Sequence, residues 1–166
     1  MARIAFKASD EYALKVAAIG KNSKPIAEKA IKRGAGLVAD ELRKNLEKVS
    51  AVDDMHNLMA YKKRGKSKLS IKQKIGLLES FGITDVEMDS KGFYNAKLGF
   101  DEYNSIRTKK YPKGQPNQLI ARVLEGGSSF MDAQPFVRPA VNATRKAVRE
   151  EMQRVIDEEC AKIMNK

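Results

Sequence analysis

The sequence predicts an α+β domain in which a small antiparallel sheet packs against a long helix and a C-terminal helix. Two apolar stripes with helical spacing support this prediction, one from Ala27 to Val49 and one from Val141 to Ile163. Between them lie short segments with the two-residue alternation that is typical of strands. The chain has 166 residues, enough for one core and few for two, so we expect a single domain over residues 1–166.

The N-terminal third of the chain is predicted to hold a strand and two helices. Residues 2–8 alternate apolar and polar side chains, as a strand with one buried face does. Ser9 can cap a helix that runs to about Ile19, because the acidic residues after it suit a helix N-terminus. Ser23 can cap a second, longer helix that reaches Val49.

Two glycines interrupt the long second helix. Gly34 and Gly36 each cost about 1 kcal/mol in a helix interior relative to alanine. The close approach of another backbone is one reason for such glycines, and a loosely made helix is the other.

The middle of the chain combines little core with much positive charge. Its apolar residues indicate one or two helical turns, after which lysine and arginine crowd together up to Lys74. We therefore expect residues 50–90 to be basic and partly extended, as an insertion or a mobile arm. A further helix is predicted to begin near Ser70 and to end at Gly82.

Two later segments are predicted to pair in one antiparallel sheet. Residues 93–100 place alternate apolar side chains on one side, and residues 118–125 have a similar pattern. A loop with two prolines and a glycine, residues 111–116, lies between them.

The C-terminal segment predicts a helix that begins near Pro139. Its apolar stripe includes Val141 and Cys160, so the only cysteine of the chain is predicted to face the core. One cysteine cannot form an intrachain disulfide, which favours a reducing compartment. No signal peptide and no long apolar run is present in the sequence, so we expect a soluble protein made in the cytoplasm and no membrane partner.

The residues offer little for catalysis. His56 is the only histidine, which excludes a metal site with two histidine ligands, and no serine lies in a Gly-x-Ser-x-Gly motif. Gly65-Lys66-Ser67 resembles the end of a phosphate-binding loop, but Ala60 occupies the position of the required first glycine. We therefore predict no catalytic residue, no metal and no cofactor, and interpret His56 as a surface residue.

The net charge of +11 makes an acidic partner plausible. Clustered cations neutralise phosphates without any specific motif, so the basic clusters are candidate contacts to nucleic acid. A basic surface that only water covers is the alternative, and without a recognised DNA-binding motif we expect no base-specific readout. The candidate residues are Lys62, Lys63, Arg64, Lys66, Lys68, Arg107, Lys109 and Lys110.

Three segments in the second half of the chain resemble a known family. They are Tyr111-Pro-Lys-Gly-Gln-Pro116, Leu119 to Ser128, and Gln134-Pro-Phe-Val-Arg-Pro-Ala140. The resemblance is to the neck and tail-component family of tailed bacteriophages, which is common in prophages. In that family a strand ends in an acidic residue and a glycine, and a Pro-Phe-apolar-Arg-Pro-Ala box opens the final helix. Glu125-Gly126 and the segment from Pro135 to Ala140 match this pattern closely.

The rest of the chain supports the resemblance more weakly. Residues 30–45 and 71–83 are similar to the family, and the order of elements agrees over most of the chain. This sequence departs from the family at Gly126-Gly127, where a single glycine is commoner, so the loop geometry is left open there. The box residues that the resemblance singles out are Glu125, Gly126, Pro135, Phe136, Arg138 and Pro139.

The resemblance implies a structural virion protein. Such proteins join head to tail or complete the tail as cyclic homo-oligomers, roughly six copies around the DNA channel, with neck, connector and tail-tube proteins as neighbours. The implied location is the virion, after assembly in the host cytoplasm. Pro135 and Pro139 restrict the backbone around Phe136 and Arg138. Two roles stay open for Phe136 and Arg138: contacts within the subunit, and contacts between subunits.

Two other classes of function are weighed against this hypothesis. One is a monomeric or dimeric accessory protein that binds nucleic acid non-specifically through residues 62–74. The other is a metal-dependent nuclease, which would need carboxylates that converge in three dimensions. The sequence favours the structural protein over both.

Overall fold

The fold is α+β in the computed structural model, which describes the backbone of residues 10–165 and the side chains of residues 14–165. The strand predicted at residues 2–8 and the cap at Ser9 lie outside these residues. The described part contains six helices and four short strands. In chain order these are α1 (Asp10–Lys21), α2 (Ser23–Lys48), α3 (Asp54–Arg64), α4 (Ile71–Ser80), β1 (Phe81–Ile83), β2 (Glu87–Met88), β3 (Tyr94–Asn95), β4 (Leu98–Phe100), α5 (Asn117–Gly126) and α6 (Val137–Met164).

The two long helices, α2 and α6, pack along each other and form the frame of the molecule. The prediction of both helices is confirmed. A Cβ atom on Gly34 would lie 2.8 Å from Met152 Cγ and 3.1 Å from Val148 Cγ1, so this glycine lets α6 approach closely. The close approach is to side chains of α6 rather than to its backbone. Gly36 has no neighbour within 4 Å of such an atom, and nothing in the structure explains it.

The core lies where α2, α4, α5 and the start of α6 meet. Its buried residues come from all of these elements and from the segments between them, so most of the chain contributes to one core. They are Ala39, Leu42, Leu46, Leu69, Leu77, Phe81, Ile120, Ala121, Leu124, Met131, Phe136 and Ala140. Val141, predicted to face the core, is instead 39% exposed, and its neighbour Ala140 is buried. Cys160 is half-buried with a free thiol.

The segment from Gln118 to Glu125 is a helix, α5, and its prediction as a strand was wrong. Ile120, Ala121 and Leu124 are all buried, and adjacent residues share a buried face only in a helix. Ile120 and Leu124 are four positions apart, a spacing that fits both the two-residue period of a strand and one turn of a helix. The sequence pattern therefore did not distinguish the two elements.

The predicted pairing of the two segments was therefore also wrong. Residues 93–100 divide into β3 and β4, which pair with different partners. In one antiparallel pair, β1 lies against β4 with Phe81 opposite Phe100. In the other, β2 lies against β3 with Met88 opposite Tyr94.

Three helix ends test the capping predictions. Helix α4 begins next to Ser70 as predicted, and Ser70 caps it: its hydroxyl accepts from Gln73 N at 3.2 Å, and Gln73 Oε1 accepts from Ser70 N at 3.0 Å. Helix α4 ends at Ser80, before the predicted Gly82, because the chain turns extended at Phe81 to pair with β4. Ser23 is not the cap of α2; it is the first helical residue, and Asn22 occupies the cap position without a side-chain bond.

The basic middle of the chain is attached to the body at several points. Val52 N donates to Leu69 O at 2.9 Å, and Ser67 N donates to Phe130 O at 2.6 Å. Leu69 and Leu77 are fully buried. Residues 50–90 thus hold α3, α4 and two short strands, and they contribute side chains to the core. No helix in the described part of the chain is long and apolar enough to cross a membrane.

Candidate functional site

The acidic residue and the Pro-Phe box of the sequence pattern meet in one structural unit, which we call the α5–α6 clasp (Glu125 with residues 136–138). The Glu125 carboxylate accepts from the backbone N–H groups of Phe136 at 2.8 Å, Val137 at 2.8 Å and Arg138 at 2.9 Å. The first N–H groups of a helix have no partner inside it, and the helix dipole favours a negative charge there. A side chain at the end of α5 therefore caps α6.

The clasp depends on an ionised carboxylate. Partial burial raises the pKa of Glu125, but the three backbone N–H groups and the nearby charge of Arg138 lower it by more. The pKa of Glu125 therefore lies below its ordinary value. At neutral pH Glu125 is charged and can accept all three bonds.

Phe136 anchors the clasp in the core. The residue is 1% exposed, and its ring meets that of Phe100 edge to face at 5.9 Å between centroids. Phe100 in turn contacts Phe81 at 5.2 Å. The Phe136 carbonyl also accepts a long bond, 3.4 Å, from Asn45 Nδ2 on α2. One box residue thus links α6 to the β1–β4 pair and to α2.

The loop between α5 and α6 explains the second glycine of the Gly126-Gly127 pair. Gly126 ends α5, and Gly127 has φ +74°, a conformation that side chains disfavour. A Cβ atom on Gly127 would also lie 3.1 Å from the backbone nitrogen of Ala133. The loop returns at Gln134, whose N–H donates to Leu124 O at 2.7 Å, so that Pro135 precedes the clasp directly.

The remaining box residues lie at the start of α6. Pro139 is the third residue of the helix, where the missing N–H costs nothing. Arg138 contributes its backbone N–H to the clasp while the residue is exposed. Phe136 is therefore engaged within the subunit, and the side chain of Arg138 faces solvent.

The predicted basic residues lie in two places. Lys62, Lys63 and Arg64 occupy the last turn of α3, Lys68 is exposed just beyond it, and Lys66 pairs with Asp132. The others, Arg107, Lys109 and Lys110, lie exposed between β4 and α5.

Arg107 lines a cleft of about 450 Å³, and none of the other seven predicted basic residues lines it. Lys72 lines it from α4, and Arg107 and Lys113 line it from the loop. Lys72 is paired with Asp54 at 2.7 Å, and Glu79 also lines the cleft. The cleft is therefore of mixed charge.

Helix α3 leaves its apolar side in solvent. Met55, Leu58 and Met59 are each more than half exposed, and none of the eleven residues of α3, all of them described, is buried. Their spacing of three and four places them on one side of the helix together with Lys62. We call Met55, Leu58, Met59 and Lys62 the α3 face. The sequence indicated the helix but not the exposure of these residues.

A second exposed apolar surface lies on the hairpin formed by β2 and β3. Met88 and Phe93 are each more than half exposed. Residues 85–93, which we call the acidic hairpin, also contain three carboxylates and one lysine. The carboxylates are those of Asp85, Glu87 and Asp89.

Potential metal-ligating side chains do not cluster within the part of the chain that the structure describes. No three histidine, cysteine or carboxylate side chains among residues 14–165 lie close enough to hold a metal ion. His56 is on the surface at the start of α3, where Nδ1 lies 2.7 Å from an Asp53 carboxylate oxygen. The other Asp53 oxygen accepts from His56 N at 2.9 Å and caps the helix.

Comparison of the chain with known protein families, with curated proteins and with solved structures found no match.

Proposed function

We propose that this chain is a structural protein of a tailed bacteriophage or prophage. In this proposal it forms a ring at the head-to-tail junction or at the tail terminus, between neck or connector proteins and tail-tube proteins. The ring has roughly six copies, a number taken from the resemblance to the neck and tail-component family. The chain catalyses no reaction and works by assembly.

The α5–α6 clasp is the observation that carries this proposal. The family resemblance depends on an acidic residue and on a Pro-Phe-Val-Arg-Pro-Ala box that begins ten positions later. In the structure Glu125 binds the backbone of Phe136, Val137 and Arg138 directly. If the match of the two short sequence motifs were due to chance, their residues would not be expected to contact each other in the structure. Their contact supports the interpretation that the two motifs form one structural unit, in which Glu125 lies at the end of a helix where the family pattern has a strand.

The two exposed apolar surfaces are also consistent with a protein that assembles. Large apolar residues that are exposed in groups mark interaction sites more often than isolated ones do. The α3 face and the acidic hairpin each expose such a group. A subunit of a ring needs at least two surfaces, one for each neighbour.

A contact of the ring with packaged DNA follows as a hypothesis from the net charge of +11. The residues proposed to approach the DNA channel are Lys62, Lys63, Arg64, Lys66, Lys68, Arg107, Lys109 and Lys110. Such contacts are made to phosphates, so duplex DNA binding should weaken steeply with salt. Binding that salt does not change, or no binding at low salt, would contradict this part of the proposal.

A second candidate function is non-specific nucleic-acid binding by a protein that forms no ring. It is favoured by Lys62 and Lys63, which make no ion pair within the described residues and so remain open to phosphates. If this candidate is right, replacing the lysines of residues 62–68 abolishes DNA affinity and leaves the mass of the particle in solution unchanged.

The experiment that tests the proposed function is a count of this chain in phage particles. Particles released from cells that carry the gene are purified by density, and their proteins are quantified by mass spectrometry against the major capsid protein. The proposal predicts a fixed, low number of copies per particle, roughly six. Complete particles that lack the chain would contradict it.

A further inference from the structure

We propose that the α3 face of one copy binds the acidic hairpin of the next copy. The inference rests on the proposed function, because it specifies the contact through which the ring forms. The occupant of each surface is thus a second copy of this chain, bound through its opposite surface.

Helix α3 is held in place by its other side and by both of its ends, so the α3 face is positioned to bind another molecule. Asn57 and Ala60, on the other side of α3, are half-buried against the body, and Asn57 Oδ1 accepts from Lys68 N at 2.8 Å. Asp53 fixes the start of the helix, and Gly65 N donates to Tyr61 O at 2.8 Å at its end. A helix held in this way presents its apolar residues in a fixed arrangement.

The charges at the C-terminal end of the α3 face are positive, whereas Asp53 and Asp54 lie at the start of the helix. Lys62 belongs to the face, and Lys63 and Arg64 follow it in the last turn. Lys62 and Lys63 have no ion-pair partner among the residues that the structure describes. Their charge is therefore free to attract carboxylates of another chain.

The acidic hairpin offers the complementary surface. It exposes Met88 and Phe93, and its charge is negative. The turn is well ordered, since one oxygen of Asp89 accepts from the N–H groups of Lys91 and Phe93, both at 2.9 Å. A preorganised surface loses little conformational entropy on binding.

Charge decides which surfaces can meet. Two acidic hairpins repel each other, whereas Lys62 and Lys63 of an α3 face attract an acidic hairpin. The contact therefore joins different surfaces of two copies, and a contact of this kind repeats into a ring when its rotation closes. Nucleic acid would engage the lysines but leave Met55, Leu58 and Met59 in water, so a protein surface fits the α3 face better.

A charge-swap experiment tests this contact. One variant carries K62E and K63E, a second carries D85K and E87K, and a third carries all four changes. The control for assembly carries K109E and K110E, which make the same change of net charge as K62E/K63E on an exposed loop outside both surfaces. All these positions are exposed, and far-UV circular dichroism with thermal unfolding confirms that each variant is folded.

Sedimentation velocity and a DNA-binding titration are then run on all five proteins. We expect the wild-type protein and the control to oligomerise, and each two-residue variant to associate at least about tenfold more weakly. The third variant should recover assembly, because its swapped charges attract each other again. If K62E/K63E does not fold, D85K/E87K tests the same contact from the other surface.

Four results would overturn the contact. Undisturbed assembly of both two-residue variants would place the interface elsewhere, while leaving the ring proposal intact. Failure of the four-residue variant to recover would show that the two surfaces do not meet. Loss of DNA binding without loss of assembly in K62E/K63E would make the α3 face a nucleic-acid site. A wild-type protein that stays monomeric would exclude the contact in solution, and the particle count would still decide the proposed function separately.

Discussion

Helices α3 and α5 have nearly the same length, eleven and ten residues, and opposite environments. Helix α5 buries four residues and ends in the carboxylate that caps α6. Helix α3 buries none of its residues, all of which are described, although it carries three large apolar side chains on one side. The apolar content of a short helix therefore does not predict its burial. The neighbours that the rest of the chain supplies decide it.

The difference also separates two uses of apolar surface. In α5 the apolar residues stabilise the fold, because they fill the space between α4, β4 and α6. In α3 they add little to folding and are available to another molecule. Substitutions in α5 should therefore change stability, and substitutions in α3 should change association.

The largest expected effect is that of Leu124→Ala in α5 compared with Leu58→Ala in α3. Leu124 is fully buried, and its truncation should lower the free energy of unfolding by about 2 to 5 kcal/mol. Leu58 is 54% exposed, and its truncation should change the free energy by less than about 0.5 kcal/mol. Urea unfolding of the two variants measures both values. Similar losses of unfolding free energy in the two variants would contradict the distinction between α5 and α3.

The next effect tests the clasp. Glu125→Ala leaves three N–H groups of α6 without their acceptor, and we expect a loss of about 2 kcal/mol, at the upper end of the range for helix caps. Glu150→Ala is the matched control, because Glu150 is an exposed glutamate of α6 whose carboxylate lies 3.8 Å from Lys146 Nζ. Equal unfolding free energies for the two variants would show that the clasp does not stabilise the fold.

The pH dependence of the clasp follows from the lowered pKa of Glu125. A carboxyl with a lowered pKa in the folded state stabilises the fold above its ordinary pKa, which is 4.5, and this contribution is lost as the pH falls through the folded-state pKa. The difference in unfolding free energy between the wild-type protein and Glu125→Gln should therefore be largest at neutral pH and shrink below about pH 4. Denaturant titrations across this range measure it. A difference that is independent of pH would mean that the charge of Glu125 does not matter.

The smallest expected changes in stability are those of alanine substitutions at the two glycines of α2. Gly34 packs against α6, whereas Gly36 has no close neighbour. Gly36→Ala should stabilise the protein by up to about 1 kcal/mol, because alanine favours helix and nothing lies near the new methyl group. Gly34→Ala should destabilise it by about 1 kcal/mol, because Met152 and Val148 of α6 must move. Thermal unfolding of both variants shows the two signs. A stabilising Gly34→Ala would mean that α6 adapts to the methyl group without cost.

The sequence predicted the long elements of the fold better than the short ones. Helices α2 and α6 repeat their apolar spacing over many turns, so their type was unambiguous. Segment 118–125 has too few turns, and Ile120 and Leu124 satisfy the periods of both a strand and a helix. The pairing of β1 with β4 was missed because residues 81–83 follow a helix directly, and no local pattern shows which distant strand will pair with them.

The candidate sites could be predicted from the sequence only in part, because they too depend on how distant segments pack together. The resemblance singled out Glu125 and Phe136, but their contact requires α5 to be a helix that ends beside the start of α6. The α3 face was visible as a helix, whereas its exposure depends on which neighbours the fold supplies. The acidic hairpin was missed because its apolar residues, Met88 and Phe93, become a surface only when β2 pairs with β3.

We propose that this chain assembles with copies of itself. The mass of the purified protein in solution, measured by light scattering over a concentration series at moderate salt, tests this assembly. We expect a closed oligomer of roughly six subunits, whose mass reaches a plateau as the concentration rises. The mass of a single chain, 18.5 kDa, at every concentration would contradict the claim.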